Sequence, residues 1–434
     1  MNAMQQSEAG AATATSRLAG KRVGMVMFST YPSDPRPRRA AEALLKEGMS
    51  VDLVCLQDGK TPARETHGNF DIIRVPLTHK RGGKLSYACK YSTFILSSAM
   101  ILALRSIRRR YDLVYVHNMP DVLVASALVP KMLGAKVILD QHDPMPELMT
   151  TIFGFDTKSF GVRLLAGLEK WSIGRAHLVI TVNDVCKRIF SSRSCPPEKI
   201  AVIMNTPDES IFPFKAMEIT ARGSDARRNH FVMMYHGSLV ERNGLDLAVE
   251  ALAKVRSRIP GVELKVYGRE TPFLQRVMAR VQEQGLTHCV SYLGPKSLEE
   301  LVKEIEGCDI GLIPNHRSAF AEINTPTRIF EYLALSKPVI APRATGISDY
   351  FTDEAMIFFD LGDAEDLACK IEYAFLHPAE VAETVKEGQE VYREHCWQAE
   401  RQRLVQLVSG LVLENRVAEA SSETAVQSAR QTAG

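Results

Sequence analysis

A chain of 434 residues, 45% hydrophobic and 24% charged, has room for about two to four domains with their own cores and is not mainly disordered. Its 53 Lys and Arg against 51 Asp and Glu leave a net +2, which excludes an overall field that would recruit nucleic acid. Eight cysteines (Cys55, Cys89, Cys186, Cys195, Cys289, Cys308, Cys369, Cys396) without a CxxC pair exclude a small disulfide scaffold and fit buried thiols in a reducing, cytoplasmic compartment.

Residues 1–20 lack the apolar run of a secretion signal and read as a floppy tail. A strand is predicted at Val23 to Phe28, followed by the Pro-rich loop STYPSDPRP, a helix from Arg38 to Glu47 that stops at Gly48, and a strand from Val51 to Leu56. Lys84 to Arg110 reads as a basic helix carrying the apolar run Phe94 to Leu104, which falls short of the ~18 apolar residues of a spanning helix. Two readings of it stay open. It is either internal to the first domain, its basic end obeying the helix dipole, or it lies on an anionic membrane. Strands Leu113 to Val116, Lys136 to Leu139 and His177 to Thr181 then alternate with helices Leu123 to Leu133 and Val162 to Ile173. The pattern lapses from Pro207 to His230.

A second series starts with a strand at Phe231 to Tyr235, a helix at Leu245 to Arg258 and a strand at Glu263 to Tyr267. Strands Cys289 to Leu293, Ile310 to Ile313 and Pro338 to Ala341 follow, with helices Ser297 to Ile305 and Arg328 to Leu335 between them. Short apolar strands alternating with helices mean parallel sheets covered on both faces. The expected architecture is α/β, with two successive Rossmann-like, doubly wound domains at 21–206 and 231–395 and a linker at 207–230. A helix over 396–416 is placed to cross back to the first domain, and 417–434 is a disordered tail. Two such domains facing across a cleft gather the carboxyl ends of both sheets around a ligand.

The segment Glu322 to Pro338, EINTPTRIFEYLALSKP, carries the most chemistry. Thr325-Pro326 opens a helix whose amino end offers N–H groups and about +0.5 charge to a phosphate. Arg328 adds a phosphate-matching cation, and Glu331, one turn on, is placed to accept both hydroxyls of a ribose. The plainer alternative is an amphipathic helix with solvated charges. In YHGSLVERNGLD, Gly237 permits close backbone approach, Ser238 offers a hydroxyl and Arg242 a guanidinium suited to pyrophosphate. In DLVYVHNMPD and ILDQHDPMPE, His117 and His142 each follow a strand, with Asn118, Asp143 and Glu147 beside them. The remaining nine histidines are read as structural.

Taken together, in this order and spacing, YHGSLVERNGLDLAVEAL, ELKVYGRE, VSYLGPKS and TPTRIFEYLALSKPVIAP resemble the retaining glycosyltransferases of the GT-B fold, glycosyltransferase family 4 (group 1) type. The resemblance implies a nucleotide-diphosphate sugar in the C-terminal half and the acceptor in the N-terminal half. It implies that Glu331 holds the ribose, that Gly237, Ser238, Arg242, Gly268, Pro295, Thr325 and Arg328 complete the nucleotide-sugar site, and that His142 and Glu322 orient the transferred sugar as the catalytic pair. The family's Glu-x7-Glu spacing would put the upstream acid at Ile323, one residue after Glu322, and its usual arginine and lysine would fall near Ser238 and Asn243, which are not basic, so that Arg242, helped by Arg328, supplies the charge instead. His117, Asn118 and Asp143 are implied neighbours of the acceptor. Arg36 and Arg38, in the loop that replaces the family's double glycine, either hold an anionic acceptor or sit in solvent.

The sequence contains no DxD, HExxH or paired-cysteine spacing, so the expectation is a metal-independent hexosyltransferase without a cofactor. Its partners would be a nucleotide sugar and a glycan or lipid-linked acceptor, as in polysaccharide biosynthesis, at the inner face of a membrane. Two competing readings are a nucleotide-sugar epimerase of similar fold and a non-catalytic nucleotide-sugar-binding relative.

Overall fold

The computed structural model describes residues 17–77, 84–156, 158–218 and 230–413. The N-terminal domain is built on an eight-stranded sheet of β1 (Arg22–Thr30), β2 (Ser50–Leu56), β3 (Arg64–His67), β4 (Phe70–Val75), β5 (Leu113–His117), β6 (Lys136–Gln141), β7 (Leu178–Thr181) and β8 (Ile200–Val202). Their order is β3-β4-β2-β1-β5-β6-β7-β8, parallel except for the β3–β4 hairpin. The C-terminal domain carries six parallel strands: β9 (Phe231–His236), β10 (Val262–Tyr267), β11 (Val290–Tyr292), β12 (Ile310–Leu312), β13 (Val339–Pro342) and β14 (Ile357–Phe359). Their order is β11-β10-β9-β12-β13-β14. Strand order therefore reverses between β1 and β5 in one sheet and between β9 and β12 in the other. These are the two crevices where ligands bind in doubly wound sheets.

Near-continuous burial along β1, β2, β5 and β9 matches their Val-, Met- and Leu-rich composition, since helices cover both faces. The unpredicted β3–β4 hairpin begins in the polar run Arg64–His67, held by Arg64 and Thr66 on Asp71 rather than by an apolar face. The helix expected over Leu123 to Leu133 is instead a 3-10 stretch, Asp121–Ala127, followed by a short α-helix, Leu128–Met132. Residues 84–108 form one long helix whose inner face buries Phe94, Ser98 and Leu102. No helix among the described residues is long and apolar enough to cross a membrane.

The ends and the linker differ from expectation. Leu18 is buried in the N-terminal core beside Ala40 and Leu44, so the packed chain starts before residue 21. The first half of the expected linker packs on the C-terminal domain: Phe212 is buried, Phe214 stacks on Tyr392, and Lys215 N–H donates to the Ala334 carbonyl. Residues 219–229 and 414–434 lie outside the described ones, as does most of the expected N-terminal tail. The helix over 397–413 returns to the N-terminal domain, where Leu404, Val408 and Val412 join its core.

Candidate active site

The C-terminal half of the cleft is assembled where β9 ends. Gly237, at φ 122°, follows the strand, and a Cβ there would lie 3.5 Å from Arg328 Cδ. The Arg328 guanidinium donates to the His236 carbonyl at 2.7 Å and sits 5.0 Å over the Tyr235 ring. A Cβ on Gly268 would meet the Gly237 carbonyl oxygen at 2.2 Å, so the loops after β9 and β10 touch backbone to backbone. Ser238 and Pro295 are exposed; the Ser238 carbonyl accepts from the Tyr235 hydroxyl and from Asn243 Nδ2. Arg242 lies in the turn Glu241–Asn243, and its guanidinium has no hydrogen-bond partner among the described residues.

As the sequence predicts, a helix opens after Pro326 and runs Thr327–Ala334. Glu331, one turn in, has Oε2 2.6 Å from His236 Nε2, while His236 Nδ1 is 2.9 Å from the Tyr332 hydroxyl. Tyr332 in turn lies 3.0 Å from the Met234 carbonyl. Glu322 occupies the short helix Ala319–Ile323, and its Oε1 accepts from Thr345 N at 3.2 Å and Thr345 Oγ1 at 2.8 Å. One carboxylate oxygen of Glu322 thus holds the start of the helix Thr345–Ser348. Thr325 bridges the domains: its hydroxyl donates to the Gly346 carbonyl and accepts from Asn183 Nδ2.

Across the cleft, a cavity of about 250 Å³ opens at the β1–β5 crevice, lined by Ser29, Asp34, His117, Asn118, His142 and Asp143 among others. Beneath it lies Asp140, an acid inside a strand of Val, Ile and Leu. Arg36 Nε and Nη2 donate to both Asp140 oxygens, Tyr115 Oη donates to Oδ2 at 3.1 Å, and Arg36 Nη1 donates to the Ile203 carbonyl. Burial alone would raise the Asp140 carboxyl, but the Arg36 guanidinium overrides it and holds it far below the usual range. His117 stacks on Tyr115, its Nδ1 3.3 Å from Asp140 Oδ2 and 3.4 Å from His142 Nε2. Burial pushes the His142 imidazole down to about 4, against the pull of Asp140, so it is neutral at neutral pH.

Asn118 fixes the loops between these groups. Its amide donates to Asp121 and Gln141, and its carbonyl oxygen accepts from His142 N–H at 2.8 Å. Asp143 is raised to about 6 by burial, opposed by Arg242 from the other domain and by Arg36. His117, Asp140 and His142 put three potential ligand atoms within 4.8 Å of one another. Arg36 and Tyr115 nevertheless occupy the Asp140 oxygens, which makes that carboxylate a counter-ion rather than a free metal ligand.

The structure brings His117, Asn118, His142 and Asp143 to one cavity, and Gly237, Gly268, Arg328 and Glu331 to the facing sheet edge. Two expectations are corrected. Arg36 is neither solvated nor free for an anionic acceptor but buried against Asp140, and Glu147, expected beside His142, forms a two-pronged ion pair with Arg193 instead. Arg38 lies 4.0 Å from Glu42. Sequence reasoning overlooked Asp140 and His236. An acid inside an apolar strand is a signal for a buried partner, and His236 ends its strand just as His117 ends β5.

A glycosyl transferase 4-like domain model matches residues 34–206, and a "glycosyl transferases group 1" model matches residues 230–376. The amylovoran biosynthesis glycosyltransferase AmsK of Erwinia amylovora is 24% identical over 193 residues, 44% of this chain and 46% of that protein. The match spans under half of that relative's length. Among solved structures, sucrose-phosphate synthase from Thermosynechococcus elongatus superposes with a TM-score of 0.71 at 18% identity, covering 90% of this chain and 99% of that one. Anabaena HepE in complex with UDP-glucose superposes at 0.65 and 16% identity, with 90% and 99% covered. At these identities the likeness is one of fold, over nine-tenths of this chain.

Proposed function

We propose that this chain, which belongs through both of its domains to the glycosyltransferases of GT-B fold, transfers a hexose from a uridine-diphosphate sugar to a glycan or lipid-linked acceptor with retention at the anomeric carbon. The observation that carries the reading is the pairing of Glu331 and Arg328, one turn apart at the amino end of a helix, with a polar cavity across the cleft. In this reading Glu331 takes the ribose hydroxyls. The helix start, Arg328 and the unpaired Arg242 meet the growing charge on the departing diphosphate, as electrostatic preorganisation requires. His142, neutral at working pH, accepts or donates a single hydrogen bond to the transferred sugar, with Glu322 opposite. His117, Asn118 and Asp143 hold the acceptor, so that attack comes from the face the phosphate leaves. Arg36 acts from behind, fixing Asp140 and through it both histidines. No metal is required for these roles. The uridine is suggested by the ligands of HepE, and the glycan by the relative in amylovoran synthesis.

The same reading places the chain at an inner membrane face. On the helix 84–108, Leu96, Met100, Leu104 and Ile107 form an exposed stripe opposite its buried face and lead into Arg108, Arg109 and Arg110. Apolar burial plus about 1 kcal/mol per basic residue near anionic lipid suits such a surface. Co-sedimentation with phosphatidylglycerol vesicles, lost in Arg108→Glu with Arg109→Glu, is the expected result.

Isothermal calorimetry with UDP tests the donor site: Glu331→Ala should bind at least tenfold more weakly, and unchanged affinity would reject the assignment. Incubation with UDP-sugars and EDTA, followed by product analysis, separates transfer from epimerisation, since an epimerase converts donor without acceptor.

A further inference from the structure

The contact between Glu331 and His236 binds the last residue of β9 to the helix Thr327–Ala334, which leads into β13, across the switch point of the C-terminal sheet. We infer that His236 is a positioning residue for the nucleotide, holding the Glu331 carboxylate in the orientation that receives a ribose. This rests on the proposed role of Glu331.

Hydrogen accounting carries the argument. His236 is buried, with Nε2 2.6 Å from Glu331 Oε2 and Nδ1 2.9 Å from Tyr332 Oη. The Tyr332 hydroxyl has one proton, which goes either to the Met234 carbonyl at 3.0 Å or to His236 Nδ1. In the first case Nδ1 donates to Tyr332 and the ring carries a proton on each nitrogen, an imidazolium paired with the Glu331 carboxylate; in the second Nδ1 accepts and the single ring proton is on Nε2. In both, Nε2 must present a proton to Glu331, because two lone pairs at 2.6 Å repel. The donor role toward the carboxylate is therefore set by geometry whichever way the hydroxyl turns.

The neighbours fix the ring as well. The carbonyl of His236 accepts from Arg328 Nη1, and its imidazole packs edge-on against the Tyr332 ring at 5.1 Å. His236 thus ties three residues of one helix, Arg328, Glu331 and Tyr332, to the strand end. Among the described residues, Oε1 of Glu331 has no hydrogen-bond partner. One oxygen is held and the other is left to accept the two hydroxyls of a ribose. A carboxylate pinned at one oxygen loses less rotamer freedom on binding than one free to turn.

The test is calorimetric binding of UDP, with GDP and ADP as further probes, to wild type, His236→Leu, His236→Gln, Glu331→Gln and the His236→Leu/Glu331→Gln double variant. Gln places an amide N–H where Nε2 stands; Leu keeps the bulk and removes the donor. We expect His236→Leu to weaken the tightest-bound nucleotide by about tenfold or more, the scale of a hydrogen bond to a charged group. His236→Gln should stay within about threefold of wild type, and His236→Leu should add nothing on the Glu331→Gln background. Wild-type affinity in His236→Leu, or losses that simply add in the double variant, overturns the inference and leaves the donor site standing. Wild-type affinity in Glu331→Gln, or no nucleotide bound by wild type, overturns the donor-site reading itself. If His236→Leu fails to fold, a His236→Gln variant that folds but binds as weakly as Glu331→Gln also refutes the inference.

Discussion

Replacing Arg36 by Met removes three N–H contacts to the Asp140 carboxylate and one to the Ile203 carbonyl, and leaves a carboxylate that is 1% exposed with the Tyr115 hydroxyl and two imidazoles around it. Breaking a buried ion pair from one side costs about 3–5 kcal/mol, because the orphaned charge keeps its desolvation penalty. At about 2–4 °C per kcal/mol for a domain of this size, the N-terminal transition should fall by roughly 6–20 °C. Trp397, stacked near Arg39 in that domain, reports the transition by fluorescence. The deficit should shrink as pH falls. In wild type the depressed Asp140 pKa contributes stability above the unfolded-state value of about 4 and loses it below. In Arg36→Met the orphaned carboxyl has a raised pKa, so its contribution is largest at low pH and is lost as pH rises. Adding Asp140→Asn should restore more than half of the loss at pH 7. A cost below about 1 kcal/mol, or no recovery in the double variant, would refute the view that Arg36 serves Asp140.

Gly268→Ala would drive a Cβ against the Gly237 carbonyl, where only 2.2 Å is available; far-UV dichroism should stay native while UDP affinity falls at least tenfold. Asp143, raised to about 6 by burial, should give transfer a limb that falls as pH drops through 6, and Asp143→Asn should abolish that limb in a pH–rate profile. His142, depressed to about 4 by burial, adds stability above pH 6.5 that is lost as pH falls toward 4, so melting of His142→Gln should be less acid-sensitive in that window. Asn183→Ala removes the cap on the Cys186 N–H and two contacts across the domains, to the Ile323 carbonyl and Thr325 hydroxyl. It should cost about 2–4 kcal/mol and widen the domain angle seen by small-angle scattering.

The alternating pattern of strands and helices was legible because β1, β5, β9 and their neighbours are buried on both faces, and such strands must be apolar throughout. The β3–β4 hairpin was not, since Arg64 and Thr66 are ordered by Asp71, a partner that pattern alone does not supply. In the site, Glu331 and Arg328 could be placed from the chain because one helix turn sets their spacing, and His117 and His142 because each follows an apolar strand. Arg36 could not. Its segment is polar and proline-rich, which reads as a surface loop, yet it opens the helix Pro35–Lys46 and its buried guanidinium meets Asp140, more than one hundred positions away. His236 is the same case, one residue beyond a predicted strand but joined to Glu331 only by the crossover from β9 to the helix that leads into β13. Local periodicity thus determined which segments become strands and helices and which side chains reach a sheet edge. Tertiary structure alone decided which charges meet, because a buried charge persists only where folding delivers its counter-ion.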